Sequence, residues 1–459
     1  MTSTILVALL VLSLVAYVVG RRRAVGFVAG ADGKVHSRAV YHGAYVAAWV
    51  GVPAFLLMIL WLVVQGPALD RLILATLPPP LVEGRTPAQL ALVLAEIKNL
   101  AAGLVFGEPG EEIRAAAARY ARWHSLAGWA MFVVVLAVAV IALSITRARL
   151  TPRFRARQGF ERFASVVMIV CSVVAILTTI GIVGSLLYEA LLFFALVPPQ
   201  DFFFGTAWEP QIALRPDQIA GAGAFGAVPV FLGTLLIATI AMTVAVPIGL
   251  LSAIYLGEFA NDRVRRVVKP LLEILAGVPT VVYGFFALLV VTPAIRATGE
   301  VLGIPVSPNT ALSAGGVMGI MLIPFISSLA DDALNAVPRA MRDGSLAMGA
   351  TKAETMMRVL LPAALPGVMG GILLALSRAV GETMIVVMAA GLIATMTFNP
   401  LDSVTTVTVQ IVTLLIGDTA FDNPKTLAAF ALGLVLFLAT LGLNVIAIRI
   451  VRRYRERYE

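Results

Sequence analysis

Two ionisable residues stand out in a long apolar run. Arg378 and Glu382 are the strong charges between Gly367 and Ala394, four residues apart, a spacing that sets both on one face of a helix. Counted from Pro366, Arg378 lies about 18 Å along a helix axis, too deep for easy snorkelling. A guanidinium at that depth faces a pathway or a partner. It can offer an oxyanion a forked pair of donors, with the carboxylate offsetting its charge when no anion is there. A structural ion pair between helices is the other reading of the same two residues.

A second stretch, residues 331–362, is polar and amphipathic between two apolar segments. Its apolar positions, Leu346, Met348, Ala350, Met356, Met357, Val359 and Leu360, predict helix rather than disorder, docked on a partner at the membrane surface. Asp343 reads as the acidic residue of a helix start, Gly349 as a turn and Pro362 as the stop of a second helix, which together make a compact hook.

The elements that position these residues follow from composition. The chain has 459 residues, is 60% hydrophobic and 13% charged, and has a mean hydropathy of +0.95. That excludes a soluble globular protein and predicts an all-α polytopic membrane protein. The net charge of +8 does not point to nucleic acid, because the basic residues sit in short clusters beside apolar spans. The lone Cys171 lies in an apolar segment, so disulfides and thiolate metal sites are excluded. Neither a catalytic residue nor a metal site is expected.

Nine spans are predicted. Three lead the chain, at Ile5–Gly20, Gly43–Val64 and Ser125–Ile145, within a section covering residues 1–146 whose extracytoplasmic loop is 65–124. Arg21–Arg23 follow the first apolar run rather than preceding it, which argues against a cleaved signal peptide. Gly30–Lys34 reads as a turn. Two helices, Thr86–Val105 and Glu111–Trp123, are expected within the 65–124 loop. Residues 147–162 form an arginine-rich cytosolic linker. Six spans then follow across residues 163–459, at Phe163–Leu196, Pro229–Leu256, Leu271–Pro293, Leu312–Leu329, Gly367–Ala394 and Leu427–Val451. Basic clusters alternate with neutral connections, placing the first residue outside, the 331–362 loop inside and the C-terminal arginines inside. Trp208, Phe202–Phe204 and Tyr188 read as aromatics of the membrane interface or a docking surface for an outside partner. Pro247, Gly249, Gly277, Pro279 and Gly284 are expected to serve packing and kinking, and Glu273 to be structural.

The hook resembles the E-A-A-x3-G-x9-I-x-L-P loop of ABC-importer permeases. Every offset is kept from Asp343-Gly344-Ser345 through Gly349 to Val359, Leu361 and Pro362, with Asp, Gly and Ser in place of Glu, Ala and Ala. The resemblance implies a type I ABC-importer permease core of six transmembrane helices, its transmembrane domain about residues 228–451, preceded by about three extra helices whose role it leaves unassigned. It also implies that the hook sits in a cleft of an ATPase subunit. Ser377–Met384 is similar to the R-A-x-G-E-T phrase of the phosphate permeases, and Ala276–Gly284 to their A-G-V-P-S/T-V-V-Y-G phrase. Phe204-Gly205, Trp208 with Pro210, and Gly233-Thr234-Leu235 fit the same group, while Thr405–Gln410 and the basic tail resemble the PstC type more than PstA.

What this implies is a non-catalytic permease subunit of an ATP-driven phosphate importer in a bacterial inner membrane. The implied partners are a second permease of PstA type, a dimer of ATPase subunits and a periplasmic phosphate-binding protein. The sequence has no G-x-x-x-x-G-K-[ST] phosphate loop, so ATP and Mg belong to the ATPase partners and no cofactor is expected on this chain. A permease for sulfate or molybdate, or an ion-driven secondary carrier, is the alternative. The predicted topology has a direct check: a reporter fused after Glu459 behaves as cytosolic, and one fused within residues 65–124 as exported. A cytosolic signal from the second fusion overturns the assignment of the leading spans.

Overall fold

The computed structural model describes residues 2–30, 36–82, 86–104, 110–211, 223–416 and 423–455, and divides into two compact units, Met1–Ile176 and Leu177–Glu459. Among the described residues, nine helices are long and apolar enough to span a membrane. A hydrocarbon core needs about 20 helical residues. Several of the nine overrun that length.

In the first unit the helices are α1 (Thr2–Gly30), α2 (Ala39–Ala75), α3 (Pro79–Val82), α4 (Pro87–Ala101) and α5 (Glu111–Arg149), with α6 (Ala156–Leu196) beginning at its end. Apolar side chains gain little by leaving lipid for each other, so close backbone approach holds these helices. Glycines permit it between α1 and α2: Gly20 faces the His42 carbonyl and Val46, Gly43 faces Tyr17, and Gly51 faces the Ser13 hydroxyl. Ile5, Leu9, Ala16, Val46, Val50, Met131 and Val135 form the core beside them. A smaller cluster joins Ile73, Val93, Ile97 and Ala116. There α4 opens on a reciprocal cap between Thr86 and Gln89, and Lys98 pairs with Asp70 at 2.8 Å.

This corrects the expected 65–124 loop. Its stretch Glu111–Trp123 is no separate helix, because nothing interrupts the backbone ladder and it runs straight into the third span as α5. Likewise α2 continues past Val64 to Ala75 with Pro67 inside it, and α1 carries Arg21–Arg23 on helix. The first of the two expected helices is α4, shorter than predicted. The expected Gly30–Lys34 turn lies, past Gly30, outside the described residues.

The second unit continues with α7 (Pro199–Phe204), the antiparallel pair β1 (Trp208–Glu209) and β2 (Ala224–Phe225), α8 (Val228–Ile254) ending in a π turn over Tyr255–Phe259, and α9 (Asp262–Gly277). After it come α10 (Thr280–Phe286), a π turn over Ala287–Val291, α11 (Thr292–Leu302) and α12 (Ala311–Asn335). The last section comprises α13 (Arg339–Ala347), α14 (Lys352–Thr355), a π turn over Met356–Leu360, α15 (Leu361–Val380), α16 (Met384–Ala389), α17 (Val407–Leu415) and α18 (Pro424–Arg455).

The most enclosed span is α12. It lies against α8 through three glycines: Gly315 meets Ile240, Gly319 meets Val244 and the Ala241 carbonyl, and Gly249 of α8 meets Ile326. Phe202 and Trp208 are buried with Phe193, Phe225 and Ala428, packing edge to face. They belong to a core, whereas Tyr188 and Phe204 are exposed as interface aromatics would be.

Two predicted spans are broken. The expected Leu271–Pro293 helix divides at Val278-Pro279, because Pro279 has no amide to donate and holds Val278 extended, at φ −67° and ψ 130°. The membrane-crossing helix therefore begins at Thr280, and α9, with none of its residues buried, is a separate amphipathic helix. The expected Gly367–Ala394 span stops at Val380.

The α8–α12 contact is testable with a built-in control. A Cβ on Gly319 would stand 2.8 Å from Val244 Cβ, whereas nothing lies within 4 Å of one on Gly316. Gly319→Leu is expected to destabilise the protein by about 1–3 kcal/mol through overpacking, and Gly316→Leu to leave thermal unfolding of the detergent-solubilised protein near wild type. Equal melting of the two variants would remove the glycine contact as a stabilising feature.

Candidate functional site

Arg378 occupies the last turn of α15, exposed in the isolated chain, with its guanidinium carbon 5.8 Å from the centre of the Phe325 ring. Phe325 belongs to α12. It lies about 21 Å of helix from Ala311 and about 15 Å from Asn335. Arg378 is therefore beside the middle of the most enclosed span. The carbonyl end of α15 is where a helix favours a cation.

Glu382 is not on the same helix face. After Val380 the chain leaves the helix at Gly381, and the Glu382 carboxylate accepts a hydrogen bond from the Met384 amide at 3.1 Å, in the first turn of α16. Among the described residues, no Arg378–Glu382 ion pair falls within 4 Å. The physical reason is that glycine is a poor helix former, and a carboxylate beside it can serve an otherwise unpaired amide. The four-residue spacing marks a break rather than a pair.

A break inside a membrane leaves backbone groups that protein must satisfy. Side chains far apart in sequence do so here. The Thr408 hydroxyl donates to the Glu382 carbonyl at 2.9 Å, and the Val407 amide donates to the Thr234 hydroxyl at 3.0 Å. Gln410 is the buried junction: it receives the Trp208 indole N–H at 2.8 Å and donates to the Leu392 carbonyl at 2.8 Å and the Thr405 hydroxyl at 3.1 Å. Gly391 turns the chain at φ +120°, with the Ser403 hydroxyl donating to the Ala390 carbonyl at 2.9 Å.

The close approaches are glycine approaches again, with Gly233 against the Thr405 carbonyl and Gly284 against Met384 and Met388. Beside Gly284, the buried Tyr283 hydroxyl donates to the Leu275 carbonyl at 2.8 Å and ties the end of α9 to α10. Trp208, Gly233-Thr234, Ala276–Gly284, Ser377–Met384 and Thr405–Gln410 thus form one connected assembly around the break.

The hook is two helical arms. Asp343 sits inside α13 rather than at its start, exposed, as is Gly344. The Ser345 and Thr355 hydroxyls are hydrogen-bonded at 2.9 Å across the arms. Gly349 makes the turn at φ +88°, and Thr351 then caps the second arm in a reciprocal box with Glu354. Pro362 does not stop that arm. It lies in the first turn of α15, and Lys352–Val380 runs on as one span-length helix carrying half-buried Val359 and Leu361, because the π turn before Pro362 accommodates the missing donor. Leu346, Met348 and Met357 are exposed on the hook.

Three ion pairs among five residues go unmarked in the sequence. Asp331, nearly buried, is 3.0 Å from Lys269 and 3.8 Å from Arg265 of α9, and Arg342 of the hook pairs with Glu258. Arg265 and Lys269, one helical turn apart, read in the sequence only as markers of a cytosolic connection. An acidic residue ending an apolar span opposite a basic turn was the available signal.

Among the described residues, nine span-length helices, one of them ending at an arginine beside the middle of α12, and a two-armed polar hook between spans make this a polytopic membrane protein. Residues 245–458 match the binding-protein-dependent transport system inner membrane component family, and residues 6–178 match a family described as phosphate ATP-binding cassette transporter. The chain is 30% identical to the probable ABC transporter permease protein YqgH of Bacillus subtilis, over 65% of this chain and 93% of that one. It is 34% identical to the phosphate transport system permease protein PstC of Xylella fastidiosa (54% and 77% covered) and 32% identical to PstC 1 of Mycobacterium tuberculosis (55% and 81% covered). The chain belongs to this family of ABC-transporter permeases, in its PstC branch, and is a multi-pass inner-membrane subunit.

The hook's turn generates a prediction. An L-residue in the left-handed region costs about 1–2 kcal/mol, and Gly349 has open space around it, so strain alone acts there. Gly349→Val is expected to leave the protein membrane-inserted but to lose co-purification with its ATPase partner or lose transport. Normal assembly with normal transport would contradict it.

Proposed function

We infer that this chain is the permease subunit of an ATP-driven phosphate importer and forms the membrane pathway with a second, PstA-type permease. A phosphate-binding protein delivers the anion outside, and a dimer of ATPase subunits, carrying the ATP and Mg, docks on the hook inside. No cofactor belongs to this chain. In this reading the first residue is outside, and α13, α14 and the C-terminal arginines are cytosolic. Residues 1–146 form an N-terminal extension, 147–162 a basic linker and 163–459 the core.

The observation that carries the reading is the placement of Arg378 at a helix break beside the middle of α12. Phosphate carries one to two negative charges near neutral pH, and a bare anion in a low-dielectric passage is strongly disfavoured. A guanidinium at the break lowers that barrier with two forked donors. Glu382 acts from beside it, holding the first turn of α16 and supplying a negative charge that keeps the anion from settling in a deep well. The hook residues Asp343, Gly344, Ser345, Gly349, Val359, Leu361 and Pro362 transmit the movement of the ATPase subunits. Leu346, Met348 and Met357 supply its apolar contact.

Arg378→Gln is expected to abolish ATP-dependent phosphate uptake into proteoliposomes, by about 100-fold or more if two charge-assisted hydrogen bonds are lost, with the complex still assembling. Glu382→Gln is expected to reduce uptake less. Wild-type uptake by an assembled Arg378→Gln complex would end the pathway role, and failure of an ATPase subunit to co-elute with the wild-type chain would end the ATP-driven reading.

A further inference from the structure

A cavity of about 270 Å³ opens between α9 and α12, lined by Arg265, Lys269 and Glu273 of α9 and by Phe325, Ser328 and Asp331 of α12. Phe325 is the residue over which the Arg378 guanidinium lies. From Phe325 to Asp331 is six residues, about 9 Å of helix toward the hook. The cavity therefore runs along α12 from Phe325, whose ring Arg378 also meets without lining the cavity, to two further cations.

Its charges are arranged to be exchanged. Asp331 is almost out of solvent, with 11% of its side chain exposed, and it is shared between Lys269 at 3.0 Å and Arg265 at 3.8 Å. Glu273 lies one turn beyond Lys269 on the same helix. Around the cavity two cations and two carboxylates balance. An arriving oxyanion can take the position of Asp331 against Lys269 and Arg265 and accept from the Ser328 hydroxyl, so its desolvation is met by charge-assisted bonds. Release needs only the return of Asp331, and a subsite with an internal competitor stays shallow enough to leave. The rest of the wall is mostly apolar, from Ala253, Leu256, Leu272, Ala276 and Pro324, so the cations and Ser328 are groups in it that can meet an anion.

We propose that this cavity is a second oxyanion subsite, which receives phosphate from Arg378 and hands it to the cytosol. The proposal rests on the phosphate-permease reading for its ligand and for its direction. It assigns Lys269 and Arg265 as binding residues and Asp331 as their displaceable counter-ion. It also gives the break at Val278-Pro279 a purpose: the break frees α9 from the following span and lays its basic face along the passage.

The test is binding of radiolabelled inorganic phosphate to the detergent-solubilised, nucleotide-free complex, with thermal stability recorded for every variant. In an Arg378→Gln background the remaining phosphate binding is expected to fall about tenfold on adding Lys269→Gln, the effect of one charge-assisted hydrogen bond. Lys269→Arg is expected to preserve it. Asp331→Asn is expected to tighten binding several-fold, because it removes the competitor while leaving both cations. A purely structural ion pair predicts the opposite sign for Asp331→Asn, lower stability with no gain in phosphate binding, and that result overturns the proposal even if the Lys269 variants fail to fold. Unchanged binding in the Lys269→Gln variant also overturns it. If the wild-type complex transports phosphate and all binding disappears with Arg378→Gln, the subsite alone is wrong. A wild-type complex that neither binds nor transports phosphate removes both this subsite and the phosphate-permease reading.

Discussion

The requirement that no backbone polar group go unpaired inside a membrane governs the second unit. A continuous helix meets it locally, and the chain gives that up after Val380. The groups released between Gly381 and Thr406 are met by hydroxyls, an amide side chain and short turns. The Thr408, Thr234 and Gln410 side chains each serve backbone or side-chain partners on a different segment. Each such bond is worth about 1 kcal/mol net, but an unmet buried group costs about 1–3 kcal/mol, so the network's larger role is to make a broken span tolerable. What the break provides is a cationic side chain held at a helix end rather than along a lipid-facing wall.

The same constraint explains the glycines. Hydrogen-bonded junctions between segments need backbones to approach closely, and Gly233 and Gly284 stand where a Cβ would collide with the Thr405 carbonyl or Met388. Close packing of α8 on α12 through Gly249, Gly315 and Gly319 gives a firm wall against which the broken segments settle. Distance along the sequence hides this economy of contact. Space reveals it.

How much of this was legible in the sequence differs by element. Apolar runs gave the number of spans, since about 20 apolar residues have few alternatives to crossing. Their ends were poorly marked: α2 and α5 continue beyond hydropathic limits because polar residues interrupt hydropathy without interrupting a helix ladder. The spans broken at Pro279 and Gly381 read as continuous, since hydropathy is blind to backbone geometry, although a proline or glycine flagged each place. The Arg378–Glu382 spacing points to the right place but not to the right geometry, because helical periodicity does not carry across Gly381. Asp331, expected to open a loop, lies inside α12, which continues to Asn335. Its pairing with Lys269, 62 positions away, depends on how α9 folds back after the π turn, which no local pattern specifies.

Hook and break are ends of one rod. From Lys352 the helix passes the π turn and Pro362 and ends beside Arg378, about 43 Å for 29 residues at helical rise. Along it, Gly367 meets Ala333 and Gly371 meets Leu329 of α12 as closely as the glycines between α8 and α12 meet their partners, so the rod is seated firmly on α12. Nearer the hook, Arg342 is paired with Glu258 at the end of α8, so the hook is also tied to the span that α12 packs against. On the proposed reading, a push on the hook loads this rod along its axis and strains that ion pair. The compliant point is then the far end, where Gly381 interrupts the helix and side-chain hydrogen bonds replace the ladder. On that same proposal, a displacement generated at the ATPase would be spent at Arg378 and would change its exposure to an anion.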